Sequence, residues 1–137
     1  SFIIWSRIFI GGKPFLQLRD ECPALAAVSL EDLQAQVKKA GDIEIDGKGC
    51  TEFGIANVAK MLISAVFHDQ KLVWPCSIAL HGEYGQHDVA AGVPCVIGKN
   101  GVEEILEVEI TAEEQAKFDS SCDILRGFLE RAASLKF

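Results

Sequence analysis

LVWPCSIALHGEYGQHDVAAGVPCVIGKNGVEEILEVEI, residues 72–110, decides the fold class. Residues 72–81 and 89–98 are rich in β-branched and small apolar side chains and read as two strands around the polar segment 82–88. Asn100-Gly101 then predicts a tight type I′ hairpin, because both residues tolerate positive φ. Residues 102–110 return as a third strand. Three strands joined by short polar turns make an antiparallel meander, not the strand–helix–strand alternation of a parallel nucleotide-binding sheet.

Helices flank this meander. Downstream, Thr111 and Glu114 have the spacing of a capping box, and Phe118, Cys122, Leu125, Leu129 and Ala132 form the buried seam of a final helix. Upstream, residues 51–67 predict a helix on the repeat Ile55, Ala59, Leu62 and Val66, widened by Val58 and Met61. An earlier helix over 29–40 starts at Ser29, with Asp32 at capping distance and Leu30, Leu33 and Val37 as its buried face. Residues 41–46 alternate with period two, which on pattern alone is a short strand, and Gly47-Lys48-Gly49 is a break. Residues 15–25 read as irregular, with Pro23 preventing a long helix. Residues 2–10 (FIIWSRIFI) read as a strand buried on both faces and ended by Gly11-Gly12-Lys13-Pro14. The order predicts an α+β fold, an antiparallel sheet with long helices, in one domain over residues 1–137. The chain opens Ser1-Phe2-Ile3-Ile4-Trp5, directly into an apolar segment, and reads as part of something longer.

Composition narrows the function. Of the 137 residues 49% are hydrophobic and 24% charged, enough apolar material for a core. A net charge of −7 repels phosphate backbones and argues against nucleic acid as a partner. No apolar run reaches the roughly 20 residues that span a bilayer, and the N-terminus lacks the basic segment and cleavage site of a secretory signal, so a cytoplasmic protein is expected. The five cysteines, Cys22, Cys50, Cys76, Cys95 and Cys122, are odd in number and never spaced C-x-x-C; they read as buried reduced thiols.

No residue pattern supplies complete chemistry. Gly47-Lys48-Gly49 precedes a helix but lacks the third glycine of a dinucleotide-binding turn. His68 reads as a solvated turn residue. His81 and His87 flank Gly82-Glu83-Tyr84-Gly85, and with Glu83 or Asp88 they could be tried as a metal site, but the spacing is wrong and no third ligand follows at a usual interval. Glu103, Glu104, Glu107, Glu109, Glu113 and Glu114 read as solvated positions or helix-start charges. No catalytic or metal-binding residue is therefore expected in this chain.

The order of several motifs is more specific than any one of them. Lys48-Gly49-Cys50-Thr51-Glu52-Phe53-Gly54-Ile55-Ala56 closely resembles the K-G-x-[TS]-x-[YW]-[GA]-[IV]-[GA] segment of the lactate dehydrogenase family. Gly82-Glu83-Tyr84-Gly85, Gly92-Val93-Pro94, Lys99-Asn100-Gly101-Val102 and Thr111-Ala112-Glu113-Glu114-Gln115-Ala116 resemble its later fixed points. Trp5-Ser6 and Gly11-Gly12-Lys13-Pro14 resemble the bacterial L-lactate and L-2-hydroxyisocaproate branch. The resemblance covers nearly the whole chain and implies the C-terminal substrate domain of an L-lactate/malate dehydrogenase, without the domain's first part and without the Rossmann domain. It implies helix for part of 41–46, against the period-two pattern. The intact parent would interconvert a 2-oxo acid and an L-2-hydroxy acid with NAD, pyruvate and L-lactate being the favoured pair, as a homo-oligomer (tetramer or dimer). The family's catalytic histidine sits in a Gly-Glu-His-Gly motif that this sequence does not contain, so the chain alone is expected to be inactive. Two family positions map here: Thr51 to the residue lining the substrate side-chain pocket, and Ile55 to the apolar residue against the nicotinamide. A helix-capping Thr51 and a core Ile55 would satisfy the same residues. Alternatives are a hydroxyisocaproate- or malate-type enzyme, or a non-catalytic folding and oligomerisation module.

Overall fold

Alternation along the two long strands produces a sheet with one buried face. The computed structural model of the chain describes residues 2–135, so Ser1 and the last two residues lie outside the description. The chain divides into two compact units, one up to Phe53 and the other from Gly54.

In the second unit, β3 (Leu72–His81), β4 (His87–Gly98) and β5 (Gly101–Ile105) form an antiparallel sheet in that order. Leu80, Val89, Ala91, Val93, Cys95 and Ile97 are buried, and the residues between them along the strands are mostly more exposed. Register holds from Leu72↔Ile97 to Leu80↔Val89 and shifts at the turn, where His81 pairs with His87. The β4–β5 turn differs from the type I′ expectation: it falls on Lys99-Asn100, and Gly101, not Asn100, takes the left-handed conformation at φ 87°. One left-handed residue after the turn is the pattern of a bulged hairpin.

The third strand is also shorter than expected, ending at Ile105 instead of 110. Tyr84 explains part of this. Its hydroxyl donates to the Leu106 carbonyl (3.0 Å) and accepts from the Val108 N–H (2.9 Å), and its own N–H donates to Glu107 Oε2 (2.8 Å). The backbone beyond Ile105 is thus partnered by the β3–β4 turn. Tyr84 makes these bonds from a left-handed conformation (φ 51°), uncommon for a side chain of its size.

α4 spans Glu52–Phe67, with residues from Gly54 onward assigned to the second unit, and α5 spans Ala112–Ser134. The expected capping box starts α5: Thr111 Oγ1 accepts from the Glu114 N–H (3.2 Å) and Glu114 Oε2 accepts from the Thr111 N–H (3.0 Å). α5 packs on β4 through Phe118 and Cys122, both buried. The Phe118 ring lies 5.4 Å from that of Tyr84. Buried Gln86 donates to Asp119 (2.7 Å) and accepts from Arg126 (2.7 Å), so the β3–β4 turn is fastened to α5 by a closed polar network. The rest of the expected seam, Leu125, Leu129 and Ala132, is exposed. On α4, Ala65 is buried and Met61, Leu62 and Val66 are half-buried, while Ile55, Val58 and Ala59 are exposed.

In the first unit, the expected strand over 2–10 is replaced by a 3₁₀ turn at Trp5–Arg7 and the two-residue β1 (Phe9–Ile10), which pairs with β2 (Lys13–Pro14). A strand persists only where a ladder partner exists, and the left-handed Gly11 and Gly12 fold back just enough chain to pair two residues. None of the stretch is fully buried, also contrary to expectation. Residues 15–25 are not irregular but form α1 (Phe15–Glu21) and the start of α2 (Pro23–Ala26). Proline stops the first helix at the extended Cys22 and occupies the first position of the second, where its missing N–H costs nothing. Ser29 caps α3 (Leu30–Lys48) by accepting from the Asp32 N–H (3.1 Å). Its expected face is half-buried at Leu30 and Leu33 and exposed at Val37. α3 continues through 41–46 and Gly47 to end at left-handed Gly49, whose N–H donates to the Ile45 carbonyl (2.7 Å). No helix among the described residues is long and apolar enough to cross a membrane.

Candidate functional site

Gly49, Cys50 and Thr51 connect α3 to α4, and the connector's shape follows from its two ends. Gly49 ends α3 at φ 85°, where an L side chain would be strained. Glu52 opens α4, its carboxylate placed where the helix N-terminus favours negative charge. Thr51 sits between, half-buried.

Charge is concentrated around this connector. Lys48 Nζ lies 3.9 Å from Glu52 Oε2 and 4.5 Å from the centre of the Phe53 ring, which is 72% exposed. Cys50 is exposed, against the expectation that all five thiols are buried, and its sulfur lies 3.8 Å from the Lys48 carbonyl oxygen. A hydrogen bond between Cys50 and the Glu52 carboxylate pushes the thiol's pKa up and pulls that of Glu52 down. Cys95 and Cys122 are buried, and desolvation raises both their pKa values.

Ile55 lies in the first turn of α4 and is 69% exposed. The described residues leave most of its side chain uncovered. The concavity on α4 lies further along, a shallow groove lined by Ala56, Ala59, Lys60, Ile63, Phe67 and His68 that includes neither Thr51 nor Ile55. His68 contacts the Ser64 carbonyl oxygen through Nδ1 (2.9 Å), consistent with a helix-end residue.

The other singled-out residues assemble less chemistry. His81 and His87 pair across the turn and both are exposed. The Glu83 carboxylate accepts from the His81 backbone N–H (2.6 Å), the main cause of its lowered pKa, so it serves the turn. Among the described residues, no group of three or more His, Cys, Asp or Glu side chains is arranged to hold a metal ion. One cluster escaped the sequence reading. Lys71 pairs with Asp69 (2.8 Å) and with Glu103, while Asp69 also accepts from the Lys99 N–H (2.8 Å). A Cβ at Gly98 would stand 2.6 Å from Glu103 Oε1 and 2.7 Å from Asp69 Oδ1, so a side chain there would displace these carboxylates. The Lys71–Glu103 and Asp69–Lys99 contacts join residues 32 and 30 apart in sequence and leave no local signature.

Comparison with known proteins gives this geometry its context. The chain is 40% identical over 133 residues to the L-lactate dehydrogenase of Fusobacterium nucleatum subsp. nucleatum, covering 96% of this chain and 42% of that protein. Among solved structures it is similar to the minor L-lactate dehydrogenase of Enterococcus mundtii (TM-score 0.84, 33% identity, covering 95% of this chain and 41% of that one). It is also similar to the malate dehydrogenase of Aeropyrum pernix (TM-score 0.82, 30% identity, 95% and 42%). The chain thus spans about 42% of the length of the curated relatives it matches. A profile of the lactate/malate dehydrogenase alpha/beta C-terminal domain matches residues 1–136, and on that match, with the mixed α and β architecture and its solved neighbours in agreement, the chain belongs to the lactate/malate dehydrogenase family.

Proposed function

We propose that this chain is the C-terminal substrate domain of an NAD-dependent L-2-hydroxy-acid dehydrogenase, with pyruvate and L-lactate as the favoured pair. The observation that carries the reading is the 40% identity to an L-lactate dehydrogenase across nearly the whole chain. Thr51 lines the pocket that receives the substrate's side chain, its methyl and hydroxyl limiting the room there. Ile55 offers an apolar surface to the nicotinamide ring; its exposure in this chain leaves it available for contact. NAD itself would be held mainly by a nucleotide-binding domain outside these 137 residues. Bound there, its reduced form would supply the hydride to the 2-oxo acid, and its oxidised form would take it back from the 2-hydroxy acid. Exposed Ile124, Phe128 and Leu129 on α5 support a homo-oligomer (dimer or tetramer), since contiguous apolar surface on a helix favours burial against a partner.

The chain lacks the family's proton-donating histidine, so on this reading it is inactive alone. The test joins residues 1–137 behind the complementary N-terminal part of the Fusobacterium nucleatum enzyme and measures NADH oxidation with pyruvate. The chimera turns over pyruvate and the isolated chain does not. A folded chimera that binds NADH yet reduces no 2-oxo acid contradicts the reading, and so does turnover by the pure isolated chain.

A further inference from the structure

We propose that Cys76 and Cys95 form a two-thiolate site for a soft monovalent metal ion, copper(I) being the fitting case. The site lies within the β3–β4 sheet and is independent of the substrate reading.

Strand register puts the two cysteines together. Cys76 pairs with Val93 and Cys95 pairs with Trp74, so the cysteines are diagonal neighbours on the same face. Both belong to the alternating set that faces the core: Cys95 is buried and Cys76 half-buried. The Cys95 thiol leans back along its strand towards the other cysteine. It donates to the carbonyl of Val93 (3.3 Å), the residue opposite Cys76. The Cys76 backbone N–H in turn donates to the Cys95 sulfur, and the Cys76 thiol acts on it as a like charge.

Distance then decides what the pair can do. Diagonal residues on neighbouring antiparallel strands have Cα atoms about 7–8 Å apart, beyond the roughly 4.4–6.8 Å that a disulfide spans. A bridging ion relaxes that requirement. Two metal–sulfur bonds of about 2.3 Å hold the sulfurs up to about 4.6 Å apart, against about 2.05 Å in a disulfide.

Ligand number and type select the ion. Structural zinc takes four ligands, and no group of three or more His, Cys, Asp or Glu among the described residues supplies such a set. Trp74 and Val93, the direct cross-strand partners, offer no side-chain oxygen for a hard cation, whereas thiolates favour copper(I). Loading exchanges two S–H protons for one copper(I). Both protons leave to solvent and the metal stays in the +1 state. The half-buried Cys76 sulfur is the point of entry.

The test titrates the reduced 137-residue chain, without oxygen, against copper(I) bicinchoninate and measures the copper withdrawn. The chain takes one copper(I) per molecule at every chain concentration. Cys76→Ala and Cys95→Ala each weaken uptake at least about tenfold, while Cys50→Ser, at the exposed thiol, leaves it unchanged. X-ray absorption of the loaded chain shows two sulfur neighbours. No uptake by the parent chain overturns the site. Unchanged uptake in Cys76→Ala, shown to be folded by circular dichroism, or loss of uptake in Cys50→Ser does so too. A copper-dependent dimer on size exclusion would mean that two chains share the ion, against the proposal. A Cys76–Cys95 disulfide formed with diamide in the folded chain would contradict the spacing on which it stands.

Discussion

β4 and α4 carry apolar patterns of similar strength, yet their fates differ. Val89, Ala91, Val93, Cys95 and Ile97 are all buried, under a sheet face on which α5 packs. Ile55, Val58 and Ile63 stay exposed, and on α4 only Ala65 is fully buried. Periodicity reports that a face is made to be covered; it does not say by what. In β4 the cover is supplied by α5 of the same unit, whereas much of α4's apolar surface has no cover within the described residues. Apolar surface that stays exposed contributes nothing to holding this chain folded and remains available for recognition.

Mutations can break that comparison. The largest effect belongs to the sheet: Leu80→Ala, at a fully buried position, lowers unfolding free energy by about 2–5 kcal/mol, measured by denaturant titration. Ile55→Ala in the same chain changes it by less than about 0.5 kcal/mol. Equal costs at the two positions would mean that Ile55 is core after all. Tyr84→Phe comes next. It strips the Leu106 carbonyl and the Val108 N–H of their shared partner and costs about 0.5–1.5 kcal/mol, with amide exchange at Val108 accelerated. Thr111→Ala removes one half of the α5 capping box and costs about 1 kcal/mol.

The smallest effect is a pH dependence at the Asp69–Lys71–Glu103 cluster. The Lys71 hydrogen bonds hold both carboxylates below their ordinary pKa values and raise that of Lys71. Carboxylates with depressed pKa values stabilise the fold above their unfolded values, near 4, and lose that contribution as pH falls through the folded ones. The raised lysine contributes below 10.5 and loses its share as pH rises through the folded value. Asp69→Asn therefore flattens the acid limb of the stability profile and leaves the region near pH 7 flat. An unaltered acid limb would show that the cluster is not linked to folding.

The same contrast explains what could be read from the sequence. Thr111 with Glu114, and Ser29 at the head of α3, were legible because capping is local: the partners lie three residues away. The meander was legible because its two long strands neighbour each other in sequence. Residues 41–46 misled because Ile43 and Ile45 are both exposed, so their alternation marks no buried face; helix continuity and the left-handed Gly49 decide that segment. The strand expected over 2–10 shrank because its ladder is two residues long. The third strand stopped early because Tyr84, some twenty residues upstream, takes its backbone bonds. Thr51 and Ile55 could be singled out only through resemblance, since a threonine before a helix and an isoleucine within one are ordinary features.

The most direct measurement is substrate preference in the chimera carrying Thr51→Gly. Removing the side chain enlarges the proposed pocket, and kcat/KM shifts from pyruvate towards bulkier 2-oxo acids. One to three methylene-sized contacts correspond to roughly tenfold or more in that ratio. A ratio unchanged across pyruvate, 2-oxobutyrate and longer 2-oxo acids would contradict the placement of Thr51 in the substrate pocket.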